Sequence, residues 1–186
     1  MYQLKDYIVV IPNAAPLAMC DDIIAEYSLC GFWKTATVGG DNVNTGIRNC
    51  KILGLSDIGL INKNLEKRKQ LDNSIFDVVG KALKQYATTF PKVKIQEDTG
   101  YELLRYDEGG FYSTHTDNSI SLNRTISCSI ALNDSFEGGE FAFFDRGLKF
   151  KLNKGDAILF PSNFMYPHEI MPVISGVRYS IITWFR

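Results

Sequence analysis

No CxxC pair occurs among the four cysteines, which stand at 20, 30, 50 and 128. That argues against a zinc knuckle or a thioredoxin-like motif, and reads as reduced, partly buried thiols of a cytoplasmic protein. Net charge is missing too. Twenty Lys and Arg stand against 21 Asp and Glu, leaving −1, which gives no ground for a nucleic-acid or membrane surface. No apolar stretch approaches the roughly 20 residues that span a bilayer. "MYQLKDYIVV" lacks the basic start and long apolar run of a signal peptide. There is no internal repeat and no low-complexity tail. Histidine is scarce: His115 and His168 are the only two.

At 186 residues and 45% hydrophobic content, the chain reads as a single domain, 1–186, able to bury a core without staples. "YIVVI" (7–11) predicts a short strand ended by Pro12. From Pro16 to about Leu29, the residues Leu17, Cys20, Ile23, Ile24 and Tyr27 recur at helical spacing, with Gly31 as the stop. Strand-like pieces follow near Lys34–Val38 and Cys50–Leu53, with the loop "GGDNVNTG" (39–46) between them. A longer helix is predicted over 58–89. There Leu71, Ile75, Val78, Val79, Ala82, Leu83 and Tyr86 form one apolar face, and Pro91 marks the end. After residue 100 short β-rich runs alternate with turn residues: "YELLRY", "FYSTHTD", "TISCSIAL", "GEFAFF", "LKFKL", "DAILF", "YPHEIMPV" and "VRYSIITWF". Ile126, Cys128, Ile130 and Leu132 show the period of two. Short strands with regular turn signals predict a sandwich or barrel. The whole is expected to be α+β, mainly β, with residues 1–100 as a helical and strand support that buttresses a barrel formed by 101–186.

In a strand, residues i and i+2 share a face, so His115 and Asp117 can point together into a barrel. His168 offers a second imidazole from a later strand. Two imidazoles and a carboxylate on one face, with open positions opposite, make the ligand set of a non-heme Fe(II) centre. By itself an HxD pair more often marks a surface turn or a satisfied core histidine. Alternation also puts Arg178, Ser180, Ile182 and Trp184 on one face of the last strand, and Tyr179, Ile181, Thr183 and Phe185 on the other. An arginine turned into a barrel needs an anion. That anion is either a nearby Asp or Glu, or a dicarboxylate cosubstrate that the guanidinium grips bidentately with help from Ser180.

Taken in order, "LLRYDEGGFYSTHTD", "RTISCSIALND", "EGGEFAFF", "KGDAILFPS" and "HEIMPVISGVRYSIITW" resemble the 2-oxoglutarate- and Fe(II)-dependent dioxygenases. The resemblance is to their prolyl 4-hydroxylase-like branch and covers about residues 101–186. It implies a double-stranded β-helix, or jelly-roll, barrel that holds Fe(II) by His115, Asp117 and His168. It implies 2-oxoglutarate and O2 as cosubstrates, with ascorbate as an accessory. It further implies that Arg178 grips the distal carboxylate of 2-oxoglutarate, that Tyr106 lines the cosubstrate pocket and that Trp184 lies near the metal. Many prolyl 4-hydroxylases carry lysine where this chain has Arg178, whereas the oxygen-sensing prolyl hydroxylases carry arginine. Position 130 is Ile, where those sensors have a tyrosine that helps to hold 2-oxoglutarate. "GGEF" (138–141) is one residue short of the diguanylate cyclase signature, and Gly138 and Gly139 read as tight-turn residues.

The activity that the resemblance implies is hydroxylation of a peptidyl residue such as proline. Oxidation of a free amino acid or other small metabolite is the alternative, and a cupin-like barrel without turnover is a third. Loop 39–46 and "IRNCKIL" stand where related hydroxylases have a lid and an arginine-bearing strand. Arg48 is therefore a candidate substrate contact, its plain alternative being a solvated loop arginine. "NSISLNR" (118–124) is expected at the barrel mouth with Arg124, and Tyr112 either lines that mouth or packs under it. The expected partner is a peptide, protein or small-molecule substrate, with neither nucleic acid nor membrane.

Overall fold

The structure is a computed structural model, and it describes residues 2–40, 42–55, 65–119 and 122–186, with only the backbone of Leu65. A short 3-10 turn (Leu4–Tyr7) precedes strand β1 (Val9–Ile11), helix α1 (Leu17–Tyr27), β2 (Lys34–Thr35), β3 (Arg48–Asn49), β4 (Lys51–Gly54) and helix α2 (Leu65–Thr89). Strands follow: β5 (Glu102–Tyr106), β6 (Phe111–His115), β7 (Ile126–Ala131), β8 (Glu137–Gly138), β9 (Phe141–Phe143), β10 (Leu148–Phe150), β11 (Ala157–Pro161), β12 (His168–Ile170), β13 (Val173–Ser175) and β14 (Arg178–Phe185).

Helix α1 stops at Tyr27, short of the predicted Leu29. Tyr27 is buried while Leu29 is 95% exposed, so the apolar stripe has run out. Trp33 Nε1 donates to the Tyr27 carbonyl at 2.9 Å and satisfies one of the open groups at the helix end. Of the predicted helix 58–89, residues 58–64 lie outside the described residues. From Leu65 onward it is present, with Leu71, Ile75, Val78, Val79, Ala82 and Tyr86 buried along one face. The predicted strand 34–38 is shorter than expected. Only Lys34–Thr35 pairs in a sheet, and Val38 turns to bridge Asn42.

The strands form a seven-stranded sheet, β1-β11-β7-β14-β5-β4-β2, a five-stranded sheet, β10-β9-β12-β6-β3, and the small pair β13-β8. Every named strand pairing is antiparallel. Residues 48–54 cross between the large sheets. Arg48 pairs with Tyr112 in the five-stranded sheet, and Lys51 pairs with Arg105 in the seven-stranded one. The run "YPHEIMPV" is broken into two strands, because Pro172 has no N–H for a ladder. The Pro172 carbonyl instead accepts from Gly139 N at 3.1 Å. Gly138 and Gly139 have φ of 73° and 65°, and a Cβ on Gly138 would collide with that carbonyl. Both are the tight-turn residues that the sequence suggests.

Two apolar clusters lie on the two sides of the seven-stranded sheet. One joins α1 and α2 to Leu103, Cys128, Ile130, Leu159, Ile181 and Phe185. The other joins Leu104, Tyr106, Ile158, Ile182 and Trp184 of the same sheet to Phe141, Phe143 and Ile170 of the five-stranded one. Alternation along each strand sorts its residues between the two. Ile130 therefore packs against the helices and cannot touch a ligand between the sheets. Its neighbour Ala131 belongs to the inter-sheet cluster.

Candidate active site

His115 ends β6, and His168 begins β12 directly opposite it in the antiparallel register. Asp117 follows two residues after His115. The three side chains offer ligand atoms within 4.8 Å of one another. His115 Nε2 lies 3.5 Å from Asp117 Oδ1, and His168 Nε2 lies 3.5 Å from Asp117 Oδ2. The other nitrogen of each ring is occupied by its own strand. His115 Nδ1 sits 2.9 Å from the Ser113 carbonyl, and His168 Nδ1 sits 3.1 Å from the Tyr166 carbonyl. A carbonyl can only accept, so each Nδ1 donates to its own strand and each Nε2 is turned toward the carboxylate. Burial pushes the His168 pKa down to about 4, against the pull of Asp117, and keeps that ring neutral. Burial alone would raise the Asp117 pKa. The imidazoles of His168 and His115 and the Ser127 hydroxyl outweigh it and hold Asp117 below the ordinary carboxylate range. Ser127 Oγ donates to Asp117 Oδ2 at 2.6 Å and lies 2.9 Å from Ser162 Oγ. Two Nε2 atoms and a carboxylate thus converge, which is the donor set of a divalent cation.

These groups open on a cavity of about 420 Å³ between the sheets. At one end stands Arg178, only 4% exposed. Its Nη1 donates to Ser180 Oγ at 2.9 Å, and its guanidinium lies 5.2 Å from the Tyr106 ring centre and 5.4 Å from that of Phe141. Among the described residues no carboxylate forms an ion pair with it, so the internal salt bridge is not what balances this charge. Burial lowers the Arg178 pKa, and burial raises that of the facing Tyr106 hydroxyl.

The rest of the lining is charged and aromatic. Arg48 lies 4.6 Å over the Tyr112 ring, donates to the Thr37 carbonyl at 3.1 Å and is close enough to act on Tyr106 and Cys50 as well. Tyr112 in turn stacks on His115, with ring centres 3.6 Å apart. So Tyr112 both lines the cavity and packs beneath the metal-ligand cluster, and Arg48 is a cavity residue rather than a solvated one. Arg124 lies 3.4 Å over Trp184 and donates to the Asp117 carbonyl at 3.3 Å. Residues 37–40 of the preceding loop, together with Ser119 and Leu122, are part of the lining as well. Ile120 and Ser121 of the expected mouth segment lie outside the described residues.

Every sequence-predicted site residue lines this cavity: Tyr106, His115, Asp117, His168, Arg178 and Ser180, together with Arg48, Tyr112 and Trp184. Sequence reading passed over Glu102, also in the lining, and Ser127 behind Asp117. Both were within reach of the same alternation. Glu102 shares a strand face with Leu104 and Tyr106, and Ser127 shares one with Ser129, opposite Ile126 and Cys128.

The 2OG-Fe(II) oxygenase superfamily matches residues 101–186. A PKHD-type hydroxylase of Colwellia psychrerythraea is 40% identical over 87 residues, covering 42% of this chain and 38% of that protein. A PKHD-type hydroxylase of Idiomarina loihiensis is 27% identical over 143 residues, covering 72% of this chain and 65% of that protein. The chain thus spans less than two thirds of the length of either relative. Among solved structures, a Trichoplax adhaerens prolyl hydroxylase in complex with a hypoxia inducible factor oxygen degradation domain peptide fragment has a TM-score of 0.80. Its identity is 18%, covering 96% of this chain and 83% of that one. A Pseudomonas putida prolyl-4-hydroxylase has a TM-score of 0.75 at 20% identity, covering 97% and 92%. The fold is therefore the one seen in those prolyl hydroxylases, and residues 101–186 match the 2OG-Fe(II) oxygenase superfamily and are similar in sequence to the PKHD-type hydroxylases.

Proposed function

We propose that this chain is a 2-oxoglutarate- and Fe(II)-dependent hydroxylase of the prolyl hydroxylase type. In this reading His115, Asp117 and His168 hold the iron. Arg178, with Ser180 and Tyr106, holds the distal carboxylate of 2-oxoglutarate. One observation carries it: a buried guanidinium without a counterion shares a cavity with a three-ligand face. The residues fit both groups. The convergent lone pairs call for a dication, and Arg178 calls for a carboxylate that no described side chain supplies. That pairing also weighs against a cupin-like barrel without turnover.

When bound, iron and 2-oxoglutarate supply the oxidising power that turns O2 against an unactivated C–H bond. The chain's own work is positional. The Ser113 and Tyr166 carbonyls fix the orientation and tautomer of the two imidazoles. Ser127 fixes one oxygen of Asp117, leaving Oδ1 on the side of His115. Leu104, Phe141, Ile170 and Ile182 line the cavity with apolar surface that keeps water from the reacting centre.

We read residues 1–186 as one unit. Residues 101–186 close as a double-stranded β-helix barrel, and residues 1–100 buttress it through α1 and α2. The shared cluster of both helices with Leu103, Ile130 and Ile181 supports this reading. Four unpaired cysteines support a cytoplasmic setting. The substrate is read as a peptidyl residue, proline first, and the likeness to a prolyl hydroxylase holding a peptide fragment supports that. A free amino acid is the second reading. It is favoured by the charged side chains Glu102, Arg48 and Arg124 at the substrate end of the cavity.

The test loads the protein with Fe(II) and 2-oxoglutarate under nitrogen and then admits air with prolyl peptides or with free amino acids. Succinate release coupled to a product one oxygen atom heavier is the expected result. A folded, iron-loaded protein that binds no 2-oxoglutarate would overturn the reading.

A further inference from the structure

Strands β5 and β14 run antiparallel with Tyr106 opposite Arg178 and Glu102 opposite Ile182. Glu102, Leu104 and Tyr106 all face the cavity. Four residues of strand separate Glu102 from Tyr106, a distance of about 13 Å. Glu102 therefore stands away from the Arg178 end, beside the part of β14 that carries Trp184. Among the described residues its carboxylate makes no hydrogen bond and no ion pair.

Two guanidiniums, Arg48 and Arg124, are near enough to act on the charge of Glu102. Each is held elsewhere: Arg48 over Tyr112 and on the Thr37 carbonyl, Arg124 over Trp184 and on the Asp117 carbonyl. Burial raises the Glu102 pKa, and Asp117 adds to the rise against the pull of the two arginines. Neither arginine bonds it, so the carboxylate keeps its hydrogen-bonding capacity for a ligand. In the loaded cavity an iron dication, a 2-oxoglutarate dianion, Asp117 and Arg178 cancel in sum. What remains is Glu102 with Arg48 and Arg124, facing the space left for the substrate, a set that suits a molecule carrying both an amine and an anionic group.

We propose that Glu102 is a specificity-determining residue that receives a protonated aliphatic amine of the substrate. The inference rests on the hydroxylase reading above and narrows it. Arg48 and Arg124 then face whatever anionic group the same molecule carries. A free amino acid supplies both charges on one carbon. A peptide supplies the amine from its N-terminus or from a lysine. A neutral residue deep inside a chain supplies neither. No other described group of the cavity offers a full negative charge at this end, since Asp117 faces the imidazoles. A charge-assisted hydrogen bond of this kind changes affinity by about tenfold or more.

The experiment uses the full chain loaded with Mn(II) and 2-oxoglutarate, which allows binding to be read by calorimetry without turnover. The probes are the common free amino acids, their N-acetyl counterparts, and prolyl and lysyl peptides with free or acetylated ends. Ligands with a free amine are expected to bind, N-acetylation is expected to weaken them about tenfold or more, and Glu102→Gln should erase that difference. Glu102→Asp should preserve the preference for the amine, which separates a charge effect from a damaged fold, and retained 2-oxoglutarate binding is the folding control in both variants. Free amino acids binding alone assign the source as a metabolite, and amine-bearing peptides binding alone assign it as a polypeptide. Equal binding of acetylated and free probes, a Glu102→Gln variant with unaltered preference, or no binding by any amine-bearing probe would overturn the proposal. If 2-oxoglutarate itself fails to bind the Mn(II)-loaded protein, the hydroxylase reading fails instead, and the amine measurements still judge Glu102.

Discussion

Strand β14 has two faces, and all eight of its residues are buried, yet the faces do opposite work. Tyr179, Ile181 and Phe185 join the helices in a continuous apolar cluster. Arg178, Ser180, Ile182 and Trp184 line the cavity between the sheets. One face is apolar except for Thr183, whose buried hydroxyl has no hydrogen bond among the described residues. The other carries a buried cation that no described carboxylate pairs, a cost that an unliganded fold has no reason to accept. The contrast teaches where to expect stability and where to expect binding. Substitutions on the helix side should act on folding and spare ligands, and substitutions on the cavity side should do the reverse.

The sharpest way to break that contrast is at the metal ligands. His168→Ala or Asp117→Ala should bring turnover to background and strip the divalent ion, while circular dichroism keeps its β-rich signature. Loss of the fold together with activity would mean that the cavity face is structural after all. Next in size is Ile181→Ala on the helix face. A buried isoleucine cut to alanine costs about 2–5 kcal/mol, to be read as a lower urea midpoint, with 2-oxoglutarate affinity unchanged at temperatures where the variant is folded. Arg178→Leu should give the mirror image. 2-Oxoglutarate binding should fall by about 1.5–3 kcal/mol, roughly 10- to 150-fold. The ligand-free melting temperature should hold or rise, because an unpaired buried charge has been replaced by apolar volume. A clear drop in ligand-free stability would show that Arg178 has a structural partner. The smallest effect is expected at Tyr112, which sits between Arg48 and His115. Tyr112→Leu should remove stacking worth about 0.5–1 kcal/mol, a two- to fivefold loss of metal affinity by competition with a chelator.

Much of the site was legible because strand alternation is a local rule. It places Arg178 with Ser180 and Trp184 without any knowledge of the partners across the sheet, whereas Asp117 lies two residues beyond the end of β6 and is kept beside His115 by its short spacing. What alternation does not carry is register. The meeting of His115 with His168, and the seat of Arg48 on Tyr112, come from pairings between distant strands. Those depend on the whole packing arrangement. Position 130 shows how thin the margin is, since an offset of one residue moves a side chain from the cavity to the helix cluster. Pro172 is a stop within "YPHEIMPV" that the apolar run around it hides. Glu102 shares a face with Leu104 and Tyr106 by the same alternation, but a single acid at the start of an apolar strand also fits an edge residue, and the cavity lining decides between the two.

The crossing segment 48–54 sets how the two walls of the cavity move relative to each other. It is stitched to β6 through Arg48 and Asn49, and to β5 through Lys51, Ile52, Leu53 and Gly54. That makes a seam along one edge, sewn to the wall that bears His115 and to the wall that bears Tyr106 and Glu102. On this edge the walls cannot part unless one of the two rows of stitches comes undone. The gauge between the metal ligands and the strand facing them is thus held by backbone pairing through one continuous segment, in addition to side-chain packing.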